Sequence, residues 1–395
     1  MALTRRGFIQ TAGMGTAVAI TSSWIGARGR EHDVWSAFEP TLHAVEPGQI
    51  VLASNENPLG PGRVVMNAVQ AAFGESGRKP GRYSGSSRDL IDAIAKKQKV
   101  KPENIVLGCG STQILRSATH LFTAKDKPLV GTIPTYEECA GYAEMMGHPV
   151  RPVALDSEFK LDLNKLADAA RGAGLVFYCN PNNPTATYVG ARATRDFMAR
   201  VNRESPDTTI LVDEAYFDYV TDPDHDTHIP IAVDNPRVIV ARTFSKAYGM
   251  AGLRMGYAVG HPETIKKMAE WDGGSGTSSL NVLALHAGIA AIQQDESFTA
   301  NERARNKDVR DFTMKWFADR GMKPTDAQAN FMFVNIGRPA KAFRDACRAK
   351  GVLVARDFPP FEKTHCRLSF GTMDEMKKAV SVFEQVLARK STAAA

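Results

Sequence analysis

The chain has 395 residues, of which 43% are hydrophobic and 23% are charged, a composition typical of a globular protein large enough for two domains. Its formal net charge is +6, but lysine and arginine are scattered along the chain, which argues against a nucleic-acid-binding patch. The five cysteines show neither a CxxC pair nor a zinc-ligand spacing, so no metal site is expected.

Residues 1–27 have the pattern of an export signal. Arg5 and Arg6 precede a moderately apolar run, Thr11 to Ile25, that is rich in glycine, alanine and threonine. Paired arginines before such a run indicate the twin-arginine route and a periplasmic location. The run is too short and too weakly hydrophobic to predict a membrane span. The alternatives are a chance arginine pair on a tail, an uncleaved anchor, and a cytoplasmic protein whose signal is not used.

After a polar arm, residues 28–48, helical patterns begin, and from residue 105 apolar runs alternate with amphipathic segments. Strands are predicted at Ile105–Leu107, Leu129–Ile133, Arg151–Leu155, Leu175–Tyr178, Ile210–Val212, Val238–Ala241 and Tyr257–Val259. Helices are predicted at Val64–Phe73, Arg88–Lys97, Thr112–Thr123, Glu137–Met146, Leu163–Ala170 and Arg192–Arg203. This alternation predicts an α/β fold whose mostly parallel seven-stranded sheet is covered on both faces. Such sheets bind ligands at the carboxyl ends of their strands.

The pattern changes beyond residue 275, where a smaller α+β region is predicted. A long helical stretch, Ser279 to Gln294, leads into charged helix that ends near Trp316. Strands are predicted at Phe331–Asn335, Val352–Val354 and Arg367–Ser369, with a closing helix at Asp374–Ala388.

Lys246 lies in a loop of small residues directly after a predicted strand, with Phe244, Tyr248 and Met250 beside it. Apolar surroundings lower the pKa of a lysine and suit it to form a Schiff base with a carbonyl compound. A basic loop that contacts phosphate or solvent would explain this stretch equally well.

Other strand ends carry groups that a ligand could use. Gly110, Ser111 and Thr112 open a predicted helix, where backbone N–H groups favour a phosphate, although glycine before a helix is also common for structural reasons. Tyr136 could stack on a flat ring or simply pack. Asn183 offers an amide that both donates and accepts hydrogen bonds.

Asp213 emerges from an apolar strand, which is costly for a carboxylate unless it meets a positive partner. A protonated pyridine nitrogen, a structural salt bridge and a metal ion are the candidates, and no cluster of histidines and acids supports the metal. Together with Lys246, Tyr136, Asn183 and Arg254, this residue completes the set of groups needed to hold pyridoxal phosphate.

The chain resembles the fold-type I pyridoxal-phosphate aminotransferases of class I/II, and among them the histidinol-phosphate aminotransferases. The resemblance covers almost everything after about residue 45. Its marks are Asn55-Glu56-Asn57-Pro58, Tyr83, Gly110-Ser111-Thr112, Pro134-Thr135-Tyr136, Asn180 to Thr185, Asp213 to Tyr216, Ser245-Lys246 with Arg254, and Arg367 to Thr372.

The resemblance implies a role for each of these residues. Lys246 would be the Schiff-base lysine and general base, with Asp213 at the pyridine nitrogen and Tyr136 against the ring; these three are the expected catalytic residues. Asn183 and Tyr216 would address the phenolic oxygen. The residues expected around the phosphate are Gly110, Ser111, Thr112, Thr243, Ser245 and Arg254.

The resemblance also implies where the substrate binds. Arg367 would clamp the α-carboxylate, with help from Asn57, because its fork matches a carboxylate. Arg356 is the candidate for a substrate phosphate, but it stands one residue out of step with the family pattern. Tyr83 would reach the phosphate of a neighbouring subunit, which implies a homodimer with shared sites.

The domain organisation expected on these grounds is a large cofactor-binding domain, residues 79–275, and a small domain built from residues 49–78 and 276–395. The expected activity moves an amino group between an amino acid, or an amino-alcohol phosphate, and a 2-oxo acid.

Three features leave the substrate open. Ala186 stands where the family usually has glycine, Arg356 is offset, and an export signal is unusual for an enzyme of histidine biosynthesis. The rival activity is a pyridoxal-phosphate lyase resembling threonine-phosphate decarboxylase, which would share almost every cofactor residue. A non-catalytic binding protein is disfavoured because both the base and the carboxylate clamp are present. An NAD enzyme is poorly supported, since Gly13-Met14-Gly15 does not follow a strand.

Overall fold

The computed structural model of the protein describes residues 46, 48–74, 79–81, 87–271 and 279–388. The expected export signal, residues 28–45 of the arm and Tyr83 lie outside the described residues. The strands are β1 (Ile50–Leu52), β2 (Ile105–Gly108), β3 (Leu129–Ile133), β4 (Val150–Ala154), β5 (Leu175–Cys179), β6 (Thr209–Asp213), β7 (Val238–Thr243), β8 (Gly256–Gly260), β9 (Phe331–Asn335), β10 (Val352–Val354) and β11 (His365–Ser369). The helices are α1 (Gly62–Ala72), α2 (Ser87–Gln98), α3 (Gly110–Phe122), α4 (Glu138–Met145), α5 (Leu163–Ala169), α6 (Ala191–Glu204), α7 (Ile229–Asp234), α8 (Pro262–Trp271), α9 (Val282–Ile292), α10 (Glu296–Ala318), α11 (Ala340–Arg348) and α12 (Met373–Ala388).

Seven strands form one sheet in the order β2-β8-β7-β6-β5-β3-β4. Neighbouring strands run parallel except at β8, which is antiparallel to both β2 and β7. Side chains alternate between two cores: Val176 and Tyr178 pack into one cluster, and Leu175 and Phe177 into another. Successive side chains of a strand point to opposite faces, so the sheet is buried on both sides. The predicted α/β fold with a mostly parallel seven-stranded sheet is confirmed.

The remaining strands form two small pairs beside a third core. β1 pairs in parallel with β10, and β9 pairs antiparallel with β11. Phe317, Phe331, Phe343 and Phe383 meet in this third cluster, which joins β9 to helices α10, α11 and α12. The pattern of apolar residues did not predict β1, α7, α8 or α11. The division of the chain into large and small domains stays a prediction.

Helix α10 has 23 residues but carries charged side chains along its length. Within the described ranges, no helix combines the length and the apolarity needed to cross a membrane.

Candidate active site

The loops that follow the strands meet at one edge of the large sheet. Asp213 at the end of β6 lies beside Cys179 at the end of β5. Gly256 at the start of β8 lies beside both Thr243 of β7 and Gly108 of β2. Because β8 is antiparallel to its neighbours, its first residue reaches the edge at which β2 and β7 end. The strand order therefore collects the predicted loops in one place.

Lys246 is half-buried in this cluster of loops. Its Nζ donates a hydrogen bond to the carbonyl oxygen of Ser54 at 3.1 Å and lies 5.6 Å from the ring centroid of Tyr216. Burial is the main cause of a pKa for Lys246 lowered to about 8, and the positive charge of Arg367 acts in the same direction. An amine with this pKa is partly neutral near neutral pH, as a nucleophile must be.

Asp213 is buried, with a relative exposure of 3%. Its Oδ1 accepts a hydrogen bond from the backbone N–H of Ala215 at 3.1 Å. Burial raises the pKa of Asp213 to about 7, and the Ala215 hydrogen bond and the charge of Lys246 act against this rise. A cationic ring nitrogen beside the carboxylate would favour its charged form again.

Arg367 lies buried next to these groups. Its Nη1 donates a hydrogen bond to Oδ1 of Asn183 at 2.7 Å, and its Nη2 donates to the carbonyl oxygen of Ala53. Its Nε is a buried donor without a hydrogen-bond partner among the described residues. Burial lowers the pKa of Arg367 to about 10. A buried cation with a donor to spare is a site for a carboxylate.

The hydroxyl of Tyr216 is positioned by Asn55, a contact that the sequence motif alone did not reveal. Asn55 donates a hydrogen bond from Nδ2 to the Tyr216 hydroxyl at 3.1 Å. Asn55 has a left-handed φ of 54°, which asparagine tolerates better than most residues. Ser369 and Asn330 bond to it on two sides at 2.8 and 2.9 Å. Burial raises the pKa of Tyr216 well above the usual range for a phenol.

The predicted phosphate residues lie together at the first turn of α3. Gly110 has a left-handed φ of 71°, and a Cβ built on it would collide with the guanidinium of Arg254, whose Cζ would be 3.0 Å away. Nη1 of Arg254 is 3.5 Å from Oγ of Ser245. The N–H of Ser245 in turn donates to Oγ1 of Thr243 at 3.1 Å. A helix N-terminus, a close guanidinium and two hydroxyls make an anion-binding pocket.

The first turn of α3 also contains Ser111 and Thr112, which are half-buried. Tyr136 is half-buried beside this turn. Burial and then the charge of Glu138 raise the pKa of Tyr136 to about 12, while a hydrogen bond with Thr112 acts in the opposite direction. The charge of Asp213 also acts on Tyr136, so the tyrosine is near both the anion-binding turn and the buried acid.

The structure places the two remaining substrate candidates differently. Nδ2 of Asn57 donates to the carbonyl oxygen of Ala247 at 3.0 Å, so this amide supports the loop of Lys246. Arg356 lies beside Arg367, because the two guanidinium carbons are 4.5 and 4.7 Å from the same ring, that of Phe358. The one-residue offset in the sequence does not turn Arg356 away from the site.

The sequence profile of the family described as Aminotransferase class I and II matches residues 47–383. The chain belongs to this family. The histidinol-phosphate aminotransferase of Moorella thermoacetica is 34% identical over 341 residues, which cover 86% of each chain. That of Symbiobacterium thermophilum is 33% identical over 339 residues, covering 86% of this aminotransferase and 90% of the relative.

A solved structure agrees in fold. The crystal structure of histidinol-phosphate aminotransferase from Sinorhizobium meliloti in complex with pyridoxal-5'-phosphate has a TM-score of 0.75 and 26% identity, covering 86% of this chain and 90% of that one. The protein is thus a fold-type I, pyridoxal-phosphate-dependent aminotransferase, and the predictions of fold, enzyme class and cofactor are confirmed.

The geometry and charge of these residues also fit pyridoxal phosphate, independently of the similarity to known proteins. Only glycine at position 110 leaves the guanidinium of Arg254 beside the helix N-terminus, where a phosphate would bind. Asp213 is a buried acid suited to a cationic ring nitrogen, and Lys246 is an amine suited to an aldehyde. When bound, the cofactor supplies that aldehyde and a ring that takes up electrons.

One buried network beside the site was missed by sequence reasoning. Glu214 accepts hydrogen bonds at Oε1 from the N–H and Nδ1 of His228 (2.9 and 3.0 Å), and at Oε2 from Nε of Arg242 (2.8 Å) and Oγ1 of Thr227 (3.0 Å). Burial alone would raise the pKa of Glu214, but Arg242 and His228 hold it at about 2. The network ties the end of β6, next to Asp213, to β7. Its partners are 13 to 28 positions away, beyond the reach of any local pattern.

Proposed function

We propose that this aminotransferase moves the amino group of an amino acid, or of an amino-alcohol phosphate, to a 2-oxo acid, with Lys246 as nucleophile and proton carrier. One observation carries the proposal: Lys246, with a pKa of about 8, lies within electrostatic reach of the buried acid Asp213 and the buried cation Arg367. An amine, an acid and a carboxylate clamp in one cluster are what the reaction requires.

Each residue has one task in this proposal. Asp213 holds the ring nitrogen in its protonated form. Asn183 and Tyr216 bind the phenolic oxygen, and Arg367 binds the carboxylate of the donor. With the cofactor and the donor bound, Nζ of Lys246 would take the proton from the carbon that loses the amino group and deliver it to the carbon that gains the amino group. The half-buried position of Lys246 limits the access of water to that proton.

The test uses the holoenzyme and a panel of amino donors, with the products identified by mass spectrometry. We expect a 2-oxo acid and an aminated acceptor. An amine with carbon dioxide would instead identify a lyase.

Lys246→Ala should abolish turnover and the cofactor attachment that borohydride makes permanent. Lys266→Ala is the control, since it removes an exposed lysine of α8 whose ion pair with Glu270 is long at 3.8 Å. Transamination by Lys246→Ala at the wild-type rate would contradict the assignment.

We also propose that the enzyme is a homodimer in which Tyr83 reaches the phosphate of the neighbouring subunit. Exposed apolar side chains of Leu59, Val64, Met66 and Phe73 support this, because they cluster in the stretch that contains α1. Val64→Glu should shift the mass measured by light scattering toward the monomer. Met145→Glu is the control, because Met145 is exposed on α4. A monomeric wild-type protein would contradict the proposal.

We propose export by the twin-arginine route to the periplasm. The support is the Arg5-Arg6 pair before the apolar run of residues 11–25. In cell fractionation, the double variant Arg5→Lys, Arg6→Lys should remain in the cytoplasm while the wild-type protein reaches the periplasm. Wild-type protein found only in the cytosol with its first 27 residues intact would contradict export.

A further inference from the structure

Arg356 and Glu137 form an ion pair close to Arg367. Nη2 of Arg356 donates to Oε2 of Glu137, and Nη1 donates to the carbonyl oxygen of Asp357 at 2.9 Å. The side chains remain accessible, with relative exposures of 30% for Arg356 and 57% for Glu137. The guanidinium of Arg356 is thus already paired with a carboxylate of the protein, and it is still accessible to solvent.

This pair adjoins both the cofactor loop and the carboxylate clamp. Glu137 directly follows Tyr136 in the chain. The guanidinium groups of Arg356 and Arg367 both lie near the ring of Phe358. In addition to burial, the charge of Arg356 lowers the pKa of Arg367, and the charge of Glu137 raises it. A donor whose carboxylate is bound by Arg367 therefore brings its side chain close to the pair.

The pair is built so that Glu137 can leave while Arg356 stays. Exposed ion pairs contribute only about 0.2–1 kcal/mol, so a ligand can replace the carboxylate of Glu137 at little cost. Arg356 keeps its bond to the carbonyl oxygen of Asp357 and its contact with Phe358. The carboxylate of Asp357 does not compete for Arg356, because it accepts a hydrogen bond from Nη1 of Arg344 at 2.6 Å.

We propose that Glu137 determines the side-chain specificity of the aminotransferase, as an internal counter-ion that anionic donor side chains replace on Arg356. A donor with an uncharged side chain leaves the pair intact, whereas a donor with a carboxylate or phosphate on its side chain displaces Glu137 into solvent. The site binds donors of both classes, and Glu137 determines their relative affinities. This inference rests on the proposed transamination at Lys246 and Arg367.

The test measures the dissociation constants of leucine, glutamate and O-phosphoserine from the absorbance change of the half-reaction in the holoenzyme. Glu137→Gln removes the competing charge and keeps the shape. It should raise the preference for glutamate over leucine about 1.5- to fivefold, the range that an exposed ion pair of about 0.2–1 kcal/mol supplies. If a phosphate is the favoured group, the affinity for O-phosphoserine should rise at least as much as the affinity for glutamate. If a carboxylate is favoured, the affinity for glutamate should rise more.

Two further variants make the test specific. Glu144→Gln removes the same charge from an exposed position of α4 and should leave the preference unchanged. In an Arg356→Gln background, Glu137→Gln should no longer alter the preference, because Glu137 acts through Arg356.

The inference is overturned if Glu137→Gln changes leucine and glutamate equally, or if its effect persists without Arg356. Failure of every donor to react with the wild-type holoenzyme would instead refute the proposed function, so the two failures are distinguishable.

Discussion

Replacing Gly110 by alanine is expected to weaken pyridoxal phosphate binding far more than it weakens the fold. Gly110 has a φ of 71°, and a Cβ at this position would lie 3.0 Å from Cζ and 3.5 Å from Nη1 of Arg254, with Nη2 closer still. The collision involves the far end of a flexible side chain, so the guanidinium moves and the backbone stays. The guanidinium would move away from the turn at which the cofactor phosphate is expected to bind.

The size of the effect follows from what Arg254 loses. One hydrogen bond between charged groups contributes about 1.5–3 kcal/mol, which corresponds to about a tenfold to 150-fold rise in the dissociation constant of the cofactor. The left-handed backbone adds a separate penalty of about 1–2 kcal/mol for alanine, and this penalty lowers the stability of the fold.

A second glycine separates the two effects. Gly147 has a similar φ of 73°, and a Cβ there would meet nothing within 4 Å. Gly147→Ala should therefore lower the melting temperature of the apo-protein about as much as Gly110→Ala does, and leave cofactor affinity unchanged. Cofactor dissociation constants come from fluorescence titration of the apo-proteins. If Gly110→Ala binds the cofactor as tightly as Gly147→Ala does, Arg254 does not hold the phosphate.

Three further predictions concern charge. Covalent attachment of pyridoxal phosphate to the apo-protein should reach half its maximal rate near the pKa of Lys246, about 8, and a rate that rises steadily through pH 10 would contradict the lowered pKa. The pKa of Glu214 in the folded protein is about 2, below its usual value of 4.5. Its contribution to the free energy of unfolding is therefore complete above pH 4.5 and is lost as the pH falls toward 2. In urea titrations in mild acid, the free energy of unfolding should depend less steeply on pH for Glu214→Gln than for the wild type. Arg367→Lys keeps the positive charge but loses the paired donors of the guanidinium. It should raise the dissociation constant of an amino-acid donor about tenfold or more in half-reaction titrations. An unchanged donor affinity would exclude Arg367 as the residue that binds the carboxylate.

Local sequence was enough to predict the sheet and the loops that matter. The predicted strand Leu129–Ile133 matches β3 residue for residue, and the other six lie within one or two residues of the structure at each end. Buried strands of a parallel sheet are short apolar runs between turn residues, a pattern visible in any window of the chain. Because parallel strands end at a common edge, the sequence alone leads one to expect that the loops of Asp213 and Lys246 meet.

Two short elements, β1 and α11, were not predicted from the sequence. β1 has three residues and forms only with β10, about three hundred positions later. It is too short to show a periodicity of its own and depends on the strand with which it pairs. Helix α11 is different: its buried residues, Ala340, Phe343 and Cys347, recur at helical spacing, so its sequence did carry the signal of a helix.

The sequence by itself determined the fold class and the cofactor, and it singled out Lys246 as the candidate Schiff-base lysine, because each depends on residue types at the ends of consecutive strands. Only the tertiary structure decided which side chains support and restrain them. The ion pair between Arg356 and Glu137 joins positions 219 residues apart, and Asn55 meets Tyr216 across 161 residues. Contacts of this range depend on how the packed elements meet, which no local pattern encodes.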